Sequence, residues 1–460
     1  MLFEEEICHD CTLYKDCRSI DLQPYGSSTP DIYILGEFPS DREDLVGKYS
    51  LSGKPIYLIM SILEHFGIKQ DKVRYYNSVN CKPKKDEIPS DIQINSCRNK
   101  IIKDIKESKP KVIIACGNSS LKSLFEQSEP GINGWRGWQI PSHDLSCWIV
   151  PVVNPQRVID DGIPEDEKLW VKQTNYTDSL KVLREDLKII PDLLKVVVPK
   201  NKSYEIKKLL KFNEVINFFD NIVVKYDKFT IDFETKGLKP YFSDSVILSI
   251  AITFDGNTSY AFPVSYSSYF SNVKYWNENQ ESEILKRLKL LLSKEGITKV
   301  IHNLIFETEW SLAILNIWLN DIEDTMLQKY ILDCRTGTMN LDFLAFATFG
   351  VRWKKYPDSI MSDLRQLPIE DLLEYNGTDT IFEHRLYNIQ SKYLDKDKVL
   401  QDRYYEQIET ARSIAKIQFM GACTNEQSRE NLLKDFKEKR VSIEKEIFEL
   451  ADDITRASDL

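Results

Sequence analysis

Long apolar runs are missing from this chain. No segment approaches the roughly 18 uninterrupted apolar residues of a membrane span, so no membrane partner is expected. A leader-like start is missing too: the first residues, MLFEEEICHD, are acidic where a secretory signal is basic, and a cytoplasmic location is the expectation. Positive charge is scarce, with 61 Lys and Arg against 71 Asp and Glu and a formal net charge of −10. That argues against a broadly basic nucleic-acid surface while leaving room for local basic patches, and it suits a site that gathers cations on carboxylates. Internal repeats and low-complexity tracts are also absent. What remains is ordinary globular composition: 460 residues, 42% apolar and 29% charged, too long for one core and sized for two or three domains. Nine cysteines in a reducing compartment point any clustered subset toward metal or iron–sulfur ligation before disulfides.

From residue 31 to 154, β-rich runs (PDIYILGE, VRYYNSVN, KVIIACG, CWIVPVVN) alternate with amphipathic ones (KPIYLIMSILEHFG, DIQINSCRNKIIKDIKES, NSSLKSLFEQ). This α/β alternation predicts a doubly wound parallel sheet with helices on both faces. A charged, proline-punctuated stretch, 161–203, reads as a helix-containing connector. After residue 204 the pattern changes: FTIDFET, VILSIAITF and TSYAFPV follow one another as a strand meander would, and helical periods take over afterwards. A mixed sheet flanked by helices is predicted over 204–398. Residues 399–460 are helical in period, with a break at Gly421.

In FTIDFET, Asp232 and Glu234 sit two apart on a predicted strand, so both side chains point to one face. By itself this pattern is more often a solvated strand face. In LPIEDLLEYNGTDTIFEHRL, Pro368 suits a first helical turn, and Tyr375 and Asp379 share a helix face. Gly377 between them costs about 1 kcal/mol of helix propensity, explained either by close approach of a substrate backbone or by drift. KVIHNLIFETEW runs from strand into helix, with Asn303 and Glu307 bracketing the turn. In this order, D-x-E on a strand, N-x-x-x-acid at a strand-to-helix turn and Y-x-x-x-D on a late helix resemble the three motifs of the exonuclease domain of family A DNA polymerases, together with EDTMLQKYIL and MNLDFLAFATFG. The resemblance implies a ribonuclease-H-like fold and a 3′→5′ exonuclease acting on a single-stranded DNA 3′ end. It implies that Asp232, Glu234 and Asp379 ligate two Mg²⁺ or Mn²⁺ ions, that Glu307 supports them and that the Tyr375 hydroxyl orients the attacking water. Hydrolysis of a phosphodiester charges both the attacking and the leaving oxygen, and two cations about 3.5–4 Å apart can stabilise both. The family usually has Asp where this chain has Glu307, a departure that is expected to alter activity.

Cys8 and Cys11 form a C-x-x-C, with Cys81 and Cys97 far downstream. Four thiolates can hold zinc or an iron–sulfur cluster, or be buried without a ligand. The segments GEFPSDRED, YNSVNCKP, KVIIACGNSSLKSLF and VPVVNPQRV resemble, in order, those of family 4 uracil-DNA glycosylases over 1–160. That resemblance implies a [4Fe–4S] cluster on Cys8, Cys11, Cys81 and Cys97, with Cys17, Cys116 and Cys147 as spare thiols. Independently of it, Glu37, Asn77, Gly117 and Asn154 fall at the carboxyl ends of predicted parallel strands, where doubly wound sheets bind ligands. By resemblance Asn77 contacts a flipped base, while Glu37 and Glu43 bind the base and handle water, with Asn154 nearby. The family's last motif has His-Pro where this chain has Asn154-Pro155, and Asn cannot carry the positive charge that stabilises a leaving uracil. Phe38 and Ser40 replace small residues, and the stacking aromatic has only Tyr49 as a candidate. Weak or no uracil excision is therefore expected. The basic and aromatic NGWRGW (133–138) reads either as a DNA contact or as a packed loop.

The tail resembles the start of a family A polymerase thumb, and nothing here resembles palm or fingers. The expectation is the proofreading part of a phage-type replicative polymerase, with primer-template DNA and a palm-and-fingers region, in this or another chain, as partners. Two other classes stay open: a repair glycosylase with an accessory nuclease, and a non-catalytic assembly module.

Overall fold

The computed structural model describes residues 8, 11–47, 53–84, 87–126, 129–163, 177–353, 356–423 and 425–458. Its first sheet holds β1 (Tyr25–Gly26), β2 (Ile32–Gly36), β3 (Val73–Asn77), β4 (Val112–Cys116), β5 (Ile140–Ser142) and β6 (Cys147–Val152), in the order β1-β3-β2-β4-β6-β5. The four inner strands are parallel and both edges antiparallel. β2 and β4 are apolar along their whole length because both faces are covered. Ile32, Ile34, Val112 and Ile114 pack on one face with Leu58 and Ile62 of α1 (Lys54–His65). Their neighbours Tyr33, Leu35, Ile113 and Ala115 face the other way, onto Ile101 and Ile105 of α2 (Asp91–Ser108) and Leu121 of α3 (Asn118–Phe125). Leu180, Leu183 and Leu187 of α4 (Asp178–Leu187), from the connector, complete the first face. Strand order reverses between β2 and β4, which opens a crevice at their carboxyl ends.

The second sheet holds β7 (Glu205–Lys208), β8 (Lys228–Thr235), β9 (Ile247–Thr253), β10 (Thr258–Pro263), β11 (Thr298–Ile301) and β12 (Ile322–Asp324), ordered β12-β11-β8-β9-β10-β7. β8, β9 and β10 form the expected antiparallel meander, with β11 and β12 joining parallel on one side and β7 parallel on the other. Phe229, Ile231 and Phe233 of β8 face a core shared with Ile250, Ile252, Phe262 and Trp310, the last from α5 (Leu304–Trp310). The alternate residues Thr230, Asp232 and Glu234 face the opposite way. There, beyond α6 (Leu341–Phe349), the 26-residue α7 (Ile369–Leu394) crosses the sheet along a polar seam: Thr230 bonds His384 at 2.8 Å, Ser259 bonds Thr380 at 2.8 Å, and Ser249 donates to Asn376 at 3.3 Å. Gly377 sits in this seam, and a Cβ on it would lie 2.6 Å from Cγ2 of Ile206 on β7. Neither drift nor a substrate backbone explains this glycine; the packing of strand β7 does.

α8 (Lys398–Met420) folds back onto the second domain. The Tyr404 hydroxyl accepts from the Asp324 backbone N–H at 2.8 Å and donates to Glu323 at 2.9 Å. The break at Gly421 (φ +67°) is followed by α9 (Glu426–Ser458), 33 residues with Leu432, Phe436, Ile443 and Ile447 exposed. No described helix is long and apolar enough to cross a membrane.

The two sheets share a core. Trp135, fully buried, meets Phe343 of α6 with ring centroids 4.4 Å apart, and Phe125 meets Phe346 edge-on at 5.0 Å. Arg335 donates to the carbonyls of Asn133 and Arg136 at 3.2 and 2.6 Å, while Lys329 lies 5.0 Å over the Trp138 ring. NGWRGW is thus a packed loop in the junction: its aromatics and carbonyls are spent on the second domain.

Candidate active site

Asp232 and Glu234 project from β8 toward Asp379 on α7, and one carboxylate oxygen from each lies within 4.8 Å of the others. Among the described residues, no other group of three or more His, Cys, Asp or Glu is gathered so tightly. Two neighbours hold two of these acids. Asn376 donates to Asp232 Oδ2 at 2.6 Å, and the Trp353 indole N–H donates to Asp379 Oδ1 at 2.5 Å. No described donor reaches Glu234. Burial pushes the Asp232 carboxyl up to about 7, with the Asn376 bond opposing. Burial and then the Asp232 charge push Glu234 and Asp379 well above the usual carboxylate range. Like charges at this spacing cannot all ionise without a counter-cation.

Tyr375, one turn before Asp379, stands beside the cluster. The Asp379 charge and burial keep its hydroxyl protonated far above the ordinary range. Glu307 is carried by the first turn of α5 after the left-handed Asn303 (φ +89°), a conformation Asn tolerates. It is buried, the Asp232 charge adds to burial in pushing its carboxyl well above the usual range, and its own charge acts on Glu234; yet its carboxylate is not one of the three brought together, and Oε2 has no partner among the described residues. Sequence reasoning missed three contributors. Asn376 and Trp353 are neutral donors that no acidic motif marks. Asp342, in the first turn of α6, adds its charge to Glu234, Tyr375 and Asp379, but it reads in sequence as an ordinary helix-start acid.

A second site lies at the crevice of the first sheet, where the four predicted residues do converge. Glu37 follows β2, lines the pocket and is held at both oxygens: Oε1 accepts from the Ser119 backbone N–H at 2.9 Å, and Oε2 accepts from the Asn154 amide. Gly117 (φ +86°) follows β4 with no room for a side chain, since a Cβ would lie 2.5 Å from Glu37 Cδ. Asn77 ends β3, and its Oδ1 accepts from the Tyr75 hydroxyl at 2.6 Å, which leaves its NH₂ facing the pocket that Glu37, Phe38 and Asn154 also line. Glu43 lines the same pocket, and one of its oxygens is engaged in a capping box: Oε2 accepts from the Ser40 N–H at 2.8 Å and Oγ at 2.7 Å. Tyr49 lies outside the described residues.

Cys11 and Cys81 share a small buried cluster with Leu13, Val79 and Ile94, and Cys17 packs against it. Cys97 approaches from α2, close enough that its charge would act on Cys81 and that of Cys11 on it, while Cys8 neighbours Cys11. Burial pushes the Cys11, Cys17, Cys81 and Cys97 thiols up, Cys97 to about 11. Cys116 and Cys147 are buried in the sheet, away from this group.

Residues 206–395 match the family described as 3'-5' exonuclease, and residues 23–171 match the uracil DNA glycosylase superfamily. The DNA polymerase of Bacillus phage SP01 is 26% identical over 352 residues, 70% of this chain and 34% of that protein, so the chain spans about a third of that relative's length. The type-4 uracil-DNA glycosylase of Saccharolobus solfataricus is 29% identical over 120 residues, 26% of this chain and 55% of that protein. The crystal structure of Escherichia coli RNase D shares 14% identity over 47% of this chain and 51% of that one, at a TM-score of 0.35, too loose an overlap to bear on any residue. The chain thus joins a region that matches the uracil DNA glycosylase superfamily to a 3′–5′ exonuclease domain.

Proposed function

We propose that this chain removes nucleotides from the 3′ end of single-stranded DNA, as the proofreading part of a replicative polymerase. The observation that carries the reading is the convergence of Asp232, Glu234 and Asp379 within 4.8 Å of one another. This donor set fits hard divalent cations, because it is all oxygen and, among the described residues, no Lys or Arg forms an ion pair with it. Two such ions, when bound, would supply charge stabilisation at the attacking and leaving oxygens. The chain's own part is positional. Asn376 and Trp353 aim Asp232 and Asp379, Tyr375 stays an O–H able to orient water, and Glu307 adds negative charge felt by Glu234 without joining the gathered three. The test is Mg²⁺-dependent shortening of a 5′-labelled single strand: Asp232→Ala should slow it by about 10³-fold, the scale of losing several kcal/mol of metal assistance. Cleavage that persists in that variant overturns the assignment.

For the first domain, residues 1–160 in outline, the reading is a glycosylase-like fold with weak or no uracil excision. Two observations support it: Asn154 stands in place of the expected imidazole, and its amide is bonded to Glu37 instead of waiting for an anion. Free uracil released from a uracil-containing strand well above background would reverse this. Cys8, Cys11, Cys81 and Cys97 are the thiols for a [4Fe–4S] cluster. Four such thiolates could equally hold a tetrahedral zinc, which is the alternative occupant. About four irons per chain are expected; zinc at one per chain would refute the cluster.

A further inference from the structure

The segment that follows α6 touches both domains within five residues, and each contact is specific. The Phe349 carbonyl meets His143 Nε2 at 2.7 Å. Gly350, at φ +68°, presses so closely on the first domain that a Cβ there would lie 1.9 Å from the carbonyl oxygen of Pro141. Arg352 donates to the carbonyl of Phe125, the last residue of α3, at 2.9 Å, and its guanidinium lies 3.8 Å over the Phe346 ring. The next residue is Trp353. Its ring stacks on Phe382 of α7 at 4.8 Å and 11°, and its N–H is the donor that holds Asp379.

We infer that Trp353 is a positioning residue for the metal-ligating carboxylate Asp379, and that the glycosylase-like domain fixes its place through Arg352. This rests on the reading of Asp379 as a cation ligand. A carboxylate with one oxygen tied to an indole N–H presents the other in a fixed direction. Outer partners of this kind typically change metal affinity or activity by 10- to 100-fold when lost. The stack on Phe382 sets the indole plane, and the bond from Arg352 to Phe125 sets the backbone that delivers it. The first domain therefore has a structural task in the nuclease site whether or not it excises any base.

The test is calorimetric titration of the full chain with Mn²⁺, beside nuclease rates as a function of Mn²⁺. Trp353→Phe keeps an aromatic ring to stack and removes only the donor. It should weaken Mn²⁺ binding about 10- to 100-fold while the rate at saturating Mn²⁺ largely recovers, a split that general loss of structure would not produce. Arg352→Gln should shift binding the same way by a smaller factor, about three- to tenfold, and it keeps the inference testable if Trp353→Phe folds poorly. Wild-type Mn²⁺ affinity in both variants, with binding lost in Asp379→Ala, overturns the positioning role alone. Undiminished binding and cleavage in Asp379→Ala overturn the site reading beneath it.

Discussion

Two crevices in this molecule are built around carboxylates, and they differ in what the protein does with the charge. In the first domain Glu37 receives a backbone N–H and a side-chain amide, and a glycine makes room for it. In the second, three carboxylates share two neutral donors, and Glu234 has none. A carboxylate met by two donors is held in place by its own protein. Carboxylates crowded together store repulsion that protons or metal ions relieve.

The sharpest way to break this contrast is to delete one acid on each side and measure metal-free stability by chemical denaturation. Glu37→Ala should destabilise the chain by about 1–3 kcal/mol, because the Ser119 N–H and Asn154 amide lose their acceptor. Above pH 7, where the cluster gives up its protons, Asp379→Asn should do the reverse and stabilise chelated protein by about 1 kcal/mol through relief of like-charge repulsion, while removing nuclease activity. Destabilisation by both would mean that the two crevices are equivalent.

The pH dependence comes next. The cluster's folded-state values lie above those of unfolded carboxyls, with Asp232 near 7. The folded state therefore binds more protons than the unfolded one between roughly pH 4 and 7. Its contribution to stability is complete below about pH 4 and disappears as pH rises through 7, at up to about 1.4 kcal/mol per pH unit for each proton. Thermal midpoints in chelator should fall with rising pH more steeply than in Asp232→Asn, and saturating Mg²⁺ should flatten the difference. Equal slopes in chelator would show that the cluster does not titrate here. The smallest effect is expected from Glu307→Asp: because Glu307 stands outside the gathered acids, the nuclease rate should change by less than about tenfold, roughly 1.4 kcal/mol.

Much of this was legible in the residues. Period two put Asp232 and Glu234 on one strand face, period 3.6 put Tyr375 and Asp379 on one helix face, and β-rich runs ending in Glu37, Asn77, Gly117 and Asn154 marked one crevice. What escaped reading depends on tertiary contact. Asn376 and Trp353 act through neutral N–H groups whose importance exists only once a carboxylate faces them. Ile206 explains Gly377 from 171 positions away in sequence, and no local pattern announces it. Glu43 lines the pocket as read, and its added part in a helix cap is one that S-x-x-E could have signalled. NGWRGW combined charge and aromatics as a DNA-binding loop would, and only the partner surface of α6 decides otherwise.

Gly350 bears on how such chains can be built. Its contact with Pro141 leaves no clearance for even a methyl group, so the seam works as a fitted joint and not as a tether between independent modules. Exchanging the first domain for another of the same fold would succeed only if the replacement offered the same backbone contour at that carbonyl. Recombination at this boundary is therefore constrained by main-chain shape, and a graft that preserved every side chain of the nuclease site could still misplace it.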